Sequence, residues 1–367
     1  MKKVVLCIAI AAIMYACGGS DGKKSSFPQY EYCQADSVAI NEILAPREAD
    51  VFMNEFYVVF LSPKTAKVFY RYSIPDFTFM DTTFTRGEGP EDVGYPYMWK
   101  NNLPGSDFWF FDGNKREIKK CSIGPEEIAV SKVIGKDEMV NRASPFRSTV
   151  VNDKYVVYDP ISWTESRSHI VVASLSDSMR VLDSIPTLAF VEVKELGGGR
   201  AAISTNTPNV AIYGSRMMCV YPMLGTSIRY DIKNDGSIEY VTTYGKEYTY
   251  DDVKNIDWKT RNQSAEFSTQ VKACTADYIF MCKRKYERVE EIAPETGESE
   301  QVIKWTGVSI EVYDWEMNPV KEIELNKKEA NTVLVDVYRN KVYAWDSKKD
   351  FEKVYIYDFK LDAPSAE

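Results

Sequence analysis

A single imidazole, His169, has to serve any histidine-based chemistry in this 367-residue chain. A Ser–His–Asp triad, a histidine-rich metal site and a histidine-based lyase would each run through it, and no Gly-x-Ser-x-Gly elbow accompanies it. Its setting, SHIVVASL (168–175), has the pattern of a strand, so His169 reads as a structural residue. The Arg86-Gly87-Glu88-Gly89-Pro90 loop lacks the Lys-Ser/Thr pair of a phosphate cradle, and no helix pattern follows to supply a dipole. Its glycines are expected to permit positive φ where the chain crosses between structural units. Asp112, Asp159 and Asp346 each end an aromatic run, where a carboxylate commonly accepts N–H groups of the next turn; a metal-lined funnel is the alternative. Asn234-Asp235-Gly236 lacks the alternating ligands and distal Glu of a calcium loop, and reads as a hairpin turn. Cys33, Cys121, Cys219, Cys274 and Cys282 show no spacing that would hold zinc, and Cys219 and Cys282 fall inside apolar strand patterns. No metal and no cofactor is implied.

One cysteine has a different expectation. Residues 1–17 read MKKVVLCIAIAAIMYAC, with Lys2 and Lys3 ahead of an apolar run from Val4 to Met14 and a small Ala16 before Cys17. The run is too short to cross a bilayer and has the layout of a secretory signal over 1–16. Cysteine at the cleavage position resembles the lipobox of bacterial lipoproteins, which implies acylation of Cys17 and a lipid anchor in the membrane. Met14 and Tyr15 depart from the commonest lipobox residues. Residues 17–36 are expected to form the lipidated cysteine and a flexible tether, beginning GGSDGKKSS.

The aromatic and arginine side chains need a scaffold to gather them. From residue 37 onward the chain repeats one rhythm. A short aromatic or β-branched run recurs as FYVVF (56–60), FWFFD (108–112), YVVYD (155–159), MMCVY (217–221), YIFMC (278–282) and VYAWD (342–346). An amphipathic run follows each of them, a third run follows in five of the six, and a shorter run usually precedes across a two- or three-residue turn. Four antiparallel strands per repeat, six times over residues 37–367, predict an all-β six-bladed β-propeller as a single domain; a pair of β-sandwiches is the alternative. The sixth repeat lacks its outer strand, and SVAINEIL (37–44) has no repeat of its own, so the two are expected to pair and remove exposed edges.

In such a meander the long connections 85–97, 135–147, 185–207 and 245–268, with the hairpin RKYERVEEIAPETGESEQVIKW, all fall on one face. Long loops on a rigid scaffold commonly carry function. That face is expected to present Trp163, Arg167, Tyr248, Tyr250, Trp258, Arg261 and Arg147 as a ligand-binding set, with Tyr95, Tyr97 and Trp99 nearby. Rings beside guanidinium groups suit sugar stacking or a protein hot spot; loop-on-loop packing that seals the channel mouth is the other outcome. A short helix with Asp251 or Asp252 near its start is expected within 245–268.

The segment TRGEGPEDVGYPYM (85–98), followed by FWFFDGNKREIKKCSI (108–123), resembles the Gly-x-Gly-Pro and Asp-x-Asn-x-Arg pattern of the TolB-like six-bladed β-propeller lipoproteins of Bacteroidetes. Gly87, Gly89, Pro90, Asp112, Asn114 and Arg116 carry the resemblance. It implies a propeller fold and an address in the cell envelope, anchored to the outer membrane and facing the periplasm or the surface. It implies no catalytic residues.

Composition limits the partners. Lys plus Arg is 45 against 54 Asp plus Glu, a net charge of −9, which argues against a nucleic-acid partner because phosphate binding needs a basic face. Tyr 24, Phe 17 and Trp 7 supply the aromatic surplus that the strands and loops use. Together these features point to a lipid-anchored binding or scaffold module for a glycan or an envelope protein. The alternative is a carboxylate-metal hydrolase or a polysaccharide lyase working in the propeller funnel.

Overall fold

Runs of alternating and β-branched residues, punctuated by Asn, Asp, Thr and Gly turns, make almost every element of this chain a strand. The computed structural model describes residues 26–42, 51–62, 65–101, 105, 107–134, 148–160, 167–175, 179–196, 199–258, 260–261, 265–292, 299–328, 330–347 and 353–361. Two strands come first, β1 (Gln29–Cys33) and β2 (Asp36–Ala39). Then follow the meanders β3 (Val51–Met53) to β6 (Thr78–Thr85) through β4 (Tyr57–Leu61) and β5 (Lys67–Ser73), and β7 (Pro96–Asn101) to β10 (Ile128–Ile134) through β8 (Asp107–Asp112) and β9 (Glu117–Ile123). The third is β11 (Thr149–Val151), β12 (Tyr155–Tyr158), β13 (Arg167–Ser174) and β14 (Val181–Leu196), extended by β15 (Gly199–Thr205). The fourth is β16 (Asn209–Tyr213), β17 (Arg216–Tyr221), β18 (Thr226–Ile232) and β19 (Ile238–Gly245), followed by a helix, α1 (Tyr250–Lys254). The fifth is β20 (Phe267–Cys274), β21 (Tyr278–Ile292), β22 (Ser299–Asp314) and β23 (Pro319–Leu325), and the last is β24 (Thr332–Asp336), β25 (Lys341–Trp345) and β26 (Lys353–Asp358).

These strands form five sheets, because β7 and β11 pair in parallel and fuse the second and third meanders into one. The six aromatic runs are the second strands of their meanders. They are buried on both faces, as Val58, Val59 and Phe60 in β4 illustrate, since neighbouring sheets cover each side. Among the described residues six apolar clusters result, each spanning two consecutive meanders. One of them joins the last to the first, with Tyr343, Trp345 and Val354 against Val58, Phe60 and Tyr72.

Turn chemistry sets the strand registers. Asn54 Oδ1 accepts the N–H groups of Phe56 and Tyr57 at 2.8 and 2.7 Å. Thr275 Oγ1 does the same for Asp277 and Tyr278, and Asp336 Oδ1 for Tyr338 and Arg339, at the corresponding turns of later meanders. Asn152 and Asp153 have φ of 52° and 54°, the left-handed pair of a type I′ hairpin.

The pairing expected from the unmatched first and last runs is present: β2 lies antiparallel to β26, with Ser37 opposite Tyr355 and Ala39 opposite Lys353. Three features differ from the sequence expectation. Residues 29–33, placed with the tether, form β1 and run parallel to β23 at the outer edge of the fifth meander. The 185–207 connection is largely a hairpin, with Phe190–Leu196 of β14 paired to β15. Gly87 and Gly89 do not occupy the left-handed region. They are needed for close approach, because a Cβ on Gly87 would stand 2.3 Å from Asp92 Oδ2, and one on Gly89 at 2.8 Å.

Candidate functional site

The connection between β19 and β20 folds onto the third meander and forms a platform. Thr249 caps α1: its hydroxyl accepts the Asp252 N–H at 3.1 Å, and the Asp252 carboxylate accepts the Thr249 N–H at 2.9 Å. The Thr249 N–H and hydroxyl hold the Asp252 carboxyl below its ordinary range. The helix sets Val253 into the apolar cluster that contains Leu188, Phe190, Tyr221 and Trp258. Trp258 is 9% exposed, donates its indole N–H to the Val253 carbonyl at 2.8 Å, and meets the Phe190 ring at 6.3 Å.

Five of the seven sequence-selected residues meet here. The Arg167 guanidinium lies 4.7 Å over the Tyr250 ring while its Nε donates to the Thr187 carbonyl at 2.9 Å. Tyr248 packs against the same cluster with the Lys246 ammonium 4.7 Å above it. Arg261 reaches over Trp258 and donates to the Met223 carbonyl. Trp258 is therefore buried in loop packing, and its ring is not held out for stacking. Trp163, Arg147 and Cys17 lie outside the described residues. Of the three other aromatics, Trp99 is a core residue at 2% exposure, Tyr97 stacks toward Phe111, and Tyr95 is exposed.

Beside this platform a groove of about 420 Å³ opens between the fourth and fifth meanders. Its lining comes from the β15–β16 junction (Asn206, Thr207, Asn209), the β17–β18 turn (Pro222, Met223), the start of β20 (Ala265, Phe267, Ser268, Thr269, Gln270) and the extension of β21 (Tyr286, Arg288). Backbone register fixes the walls. The Tyr286 N–H bonds the Glu266 carbonyl at 2.8 Å, Asn209 Nδ2 donates to the Thr269 carbonyl at 2.9 Å, and Arg288 donates to the Ala265 carbonyl at 2.8 Å. Arg288 also lies 5.1 Å from the Tyr286 ring centroid, a contact that aligns a planar cation. The connections 185–207 and 245–268 and the hairpin with Tyr286 and Arg288 were already singled out, but these residues escaped as a set because amides and hydroxyls from four separated segments have no local pattern.

The motif residues of the second meander are structural. Asp112 is fully buried and faces the N–H groups of Gly94, Tyr95, Asn114 and Lys115 at 3.2–3.4 Å, with the Lys119 ammonium at 3.8 Å. Lys115 closes the loop by donating to the carbonyls of Pro90 and Asp92. Arg86 donates to the carbonyls of Ser62, Thr65 and Gly94. Asp159 accepts the Ser168 hydroxyl and Asp346 the Asn331 amide. His169 lies mid-strand in β13, opposite Pro186.

Among the described residues, no three His, Cys, Asp or Glu side chains converge as a metal site would require. The five described cysteines are free thiols. Burial pushes Cys33 up to about 11, and Cys121 and Cys274 each up to about 12, so their thiolates are scarce at neutral pH.

No family model matches the chain, and no curated protein matches it. Solved structures do match, over nearly its whole length. A Bacteroides fragilis protein assigned as exported is 11% identical, covering 91% of this chain and 99% of that one at a TM-score of 0.51. The N-terminal domain of Nup159 is 10% identical, covering 92% and 99% at 0.42, and a chain of the mitotic checkpoint complex is 8% identical, covering 95% and 98% at 0.45. At such identities a likeness speaks of architecture alone. The chain is an all-β protein of several antiparallel sheets with the character of a β-propeller.

Proposed function

We propose that this chain is a lipid-anchored envelope β-propeller of six blades, and that its loop-rich face is a binding module for a glycan. The observation that carries the binding reading is the groove between the fourth and fifth meanders. Its volume falls in the range of small-molecule sites, about 300–1,000 Å³, and amides, hydroxyls, two aromatic rings and one guanidinium line it. Amides and hydroxyls pair with sugar hydroxyls, and rings cover the apolar faces of pyranoses.

Six blades are supported by six apolar clusters that each link consecutive meanders, the last to the first included, and by the β2–β26 pairing. The envelope address is supported by the signal-like run before Cys17 and by the likeness to an exported Bacteroides protein. No helix among the described residues is long and apolar enough to cross a membrane. Resemblance to TolB-like lipoproteins rests on the Gly87–Pro90 and Asp112–Arg116 segments.

The test is the melting temperature of the full chain in detergent against a panel of polysaccharide fragments, with divalent cations and EDTA as parallel arms. A ligand bound to the native state at a hundredfold excess over its Kd contributes about 2.7 kcal/mol. A glycan shift that EDTA leaves unchanged supports the binding module. A cation shift reversed by EDTA moves the reading to a carboxylate-metal enzyme, and no shift with any fragment removes the glycan in favour of a protein partner.

A further inference from the structure

The groove is the root of a longer surface. β21 and β22 outrun the rest of their sheet: the outermost rung of β20 on β21 is Phe267 opposite Lys285, and that of β23 on β22 is Leu325 opposite Val308. From Tyr286 opposite Trp305 to Ile292 opposite Ser299, the two strands pair in the sheet only with each other. They form an arm about 20 Å long at the ordinary rise of a strand. Side chains alternate between the faces of a strand, and directly opposed residues share a face. Tyr286 and Arg288 line the groove, so the face that walls it continues outward through Ile303, Glu290, Gln301 and Ile292. Ile303 is 49% exposed and Ile292 74%, while at the root the Trp305 ring meets Tyr286 edge-on at 5.6 Å. The opposite face is occupied by its own pairs, Lys304 with Glu291 at 2.8 Å and Val289 opposite Val302. Charges of both signs stand at the root, Arg288 in the lining and Glu266 and Glu287 next to lining residues. What distinguishes this surface is its length.

Resting on the glycan reading, we infer that the site takes a polysaccharide bound along its length, with some units in the groove and the following ones on the outward face of the arm. A two-stranded hairpin is marginal in water on its own. A chain lying along this one covers Ile303 and Ile292, and Glu290 and Gln301 are placed to meet its hydroxyls. A short sugar fills the groove and forgoes these contacts. Contacts made by one connected ligand add without a second loss of translational freedom. Affinity should therefore keep climbing past the chain length that fills the groove.

Isothermal titration calorimetry on the full chain in detergent tests this with size-fractionated fragments, disaccharide to octasaccharide, of xylan, glucomannan, laminarin and galactan. The expected result is at least one series in which the hexasaccharide binds about tenfold more tightly than the disaccharide. Ile303→Ser and Gln301→Ala, both at exposed positions, should weaken the hexasaccharide and leave the disaccharide unchanged. A variant in which Asn-Gly replaces residues 290–301 closes the arm with a tight turn and keeps Tyr286 and Arg288. It should bind the two fragments with nearly equal affinity, and an unchanged melting temperature would show that its sheet is intact. Equal affinity across every binding series, or a preference for the hexasaccharide that survives in the shortened arm, overturns the role of the arm and leaves the glycan module standing. If no fragment of any series binds, both readings fall.

Discussion

Arg167 of β13 and Tyr250 of α1 are stacked, guanidinium over ring at 4.7 Å, across the seam between the third meander and the connection that follows the fourth. A contact of this kind is worth about 0.5–2 kcal/mol, depending on how dry it is. A double-mutant cycle with Arg167→Ala and Tyr250→Ala, read by urea denaturation, is expected to return a coupling of about 1 kcal/mol. Zero coupling would mean that the platform is held by its apolar underside alone. Trp258→Ala should cost more, about 3 kcal/mol, because it empties a buried site and removes the indole's hydrogen bond to the Val253 carbonyl.

Asp112 offers a second test, in the segment that carries the family resemblance. Its carboxylate is fully buried among four backbone N–H groups and beside Lys119. Asp112→Ala strands those buried donors while Lys119 keeps Glu117 at 3.4 Å, so unfolding should become easier by about 1–3 kcal/mol. Asp112→Asn keeps an acceptor and should cost less than half as much. Glycan affinity of whatever remains folded should not change; a selective loss of binding would assign this loop to the site instead of the scaffold.

A third prediction concerns acid. Burial pushes the Glu31 carboxyl up, but hydrogen bonds from the Lys321 ammonium and the Lys360 N–H outweigh it and hold the group below the ordinary carboxylate range. With the folded value depressed, the stabilisation is present above the unfolded carboxylate pKa of about 4.3 and disappears as pH falls through the lower folded value. Amides of Gln29–Cys33 should therefore lose hydrogen-exchange protection ahead of the core strands on acidification. Glu31→Gln should lower the melting temperature at pH 7, with the gap closing below about pH 4. A gap that does not narrow at all as the pH falls would show that the pair does not govern β1.

Much of the architecture was legible because its signal is periodic. Aromatic second strands, two- or three-residue turns such as those at Asn54-Glu55 and Tyr338-Arg339-Asn340, and the unmatched run at 37–44 are each local patterns, and each has its counterpart in the fold. The strand at 29–33 was missed because QYEYC is a short polar edge strand, recognisable only beside β23. Gly199–Thr205 carries small residues with little strand propensity, and it is held by register against β14. For the site, sequence brought Arg167, Tyr248, Tyr250, Trp258 and Arg261 to one region, but ring type does not tell which way a ring points. Trp258 turned inward because its neighbours Val253 and Phe190 offered apolar cover and a carbonyl for its N–H. The groove's amides were invisible for a further reason: Asn206, Gln270 and Arg288 become neighbours only when two meanders pack.

The direction of β1 has a consequence for how the molecule is oriented. Because β1 runs parallel to β23, its first residue lies toward the tight-turn end of the fifth meander, where Phe27 packs on Tyr313 at 5.3 Å. The groove lies at the opposite end, where β20 begins and β21 extends outward. An acyl group on Cys17 would be tied to Gln29 by a leash of at most about 40 Å. Such a tether would join the molecule at the end away from the groove, and would leave the groove's mouth uncrossed.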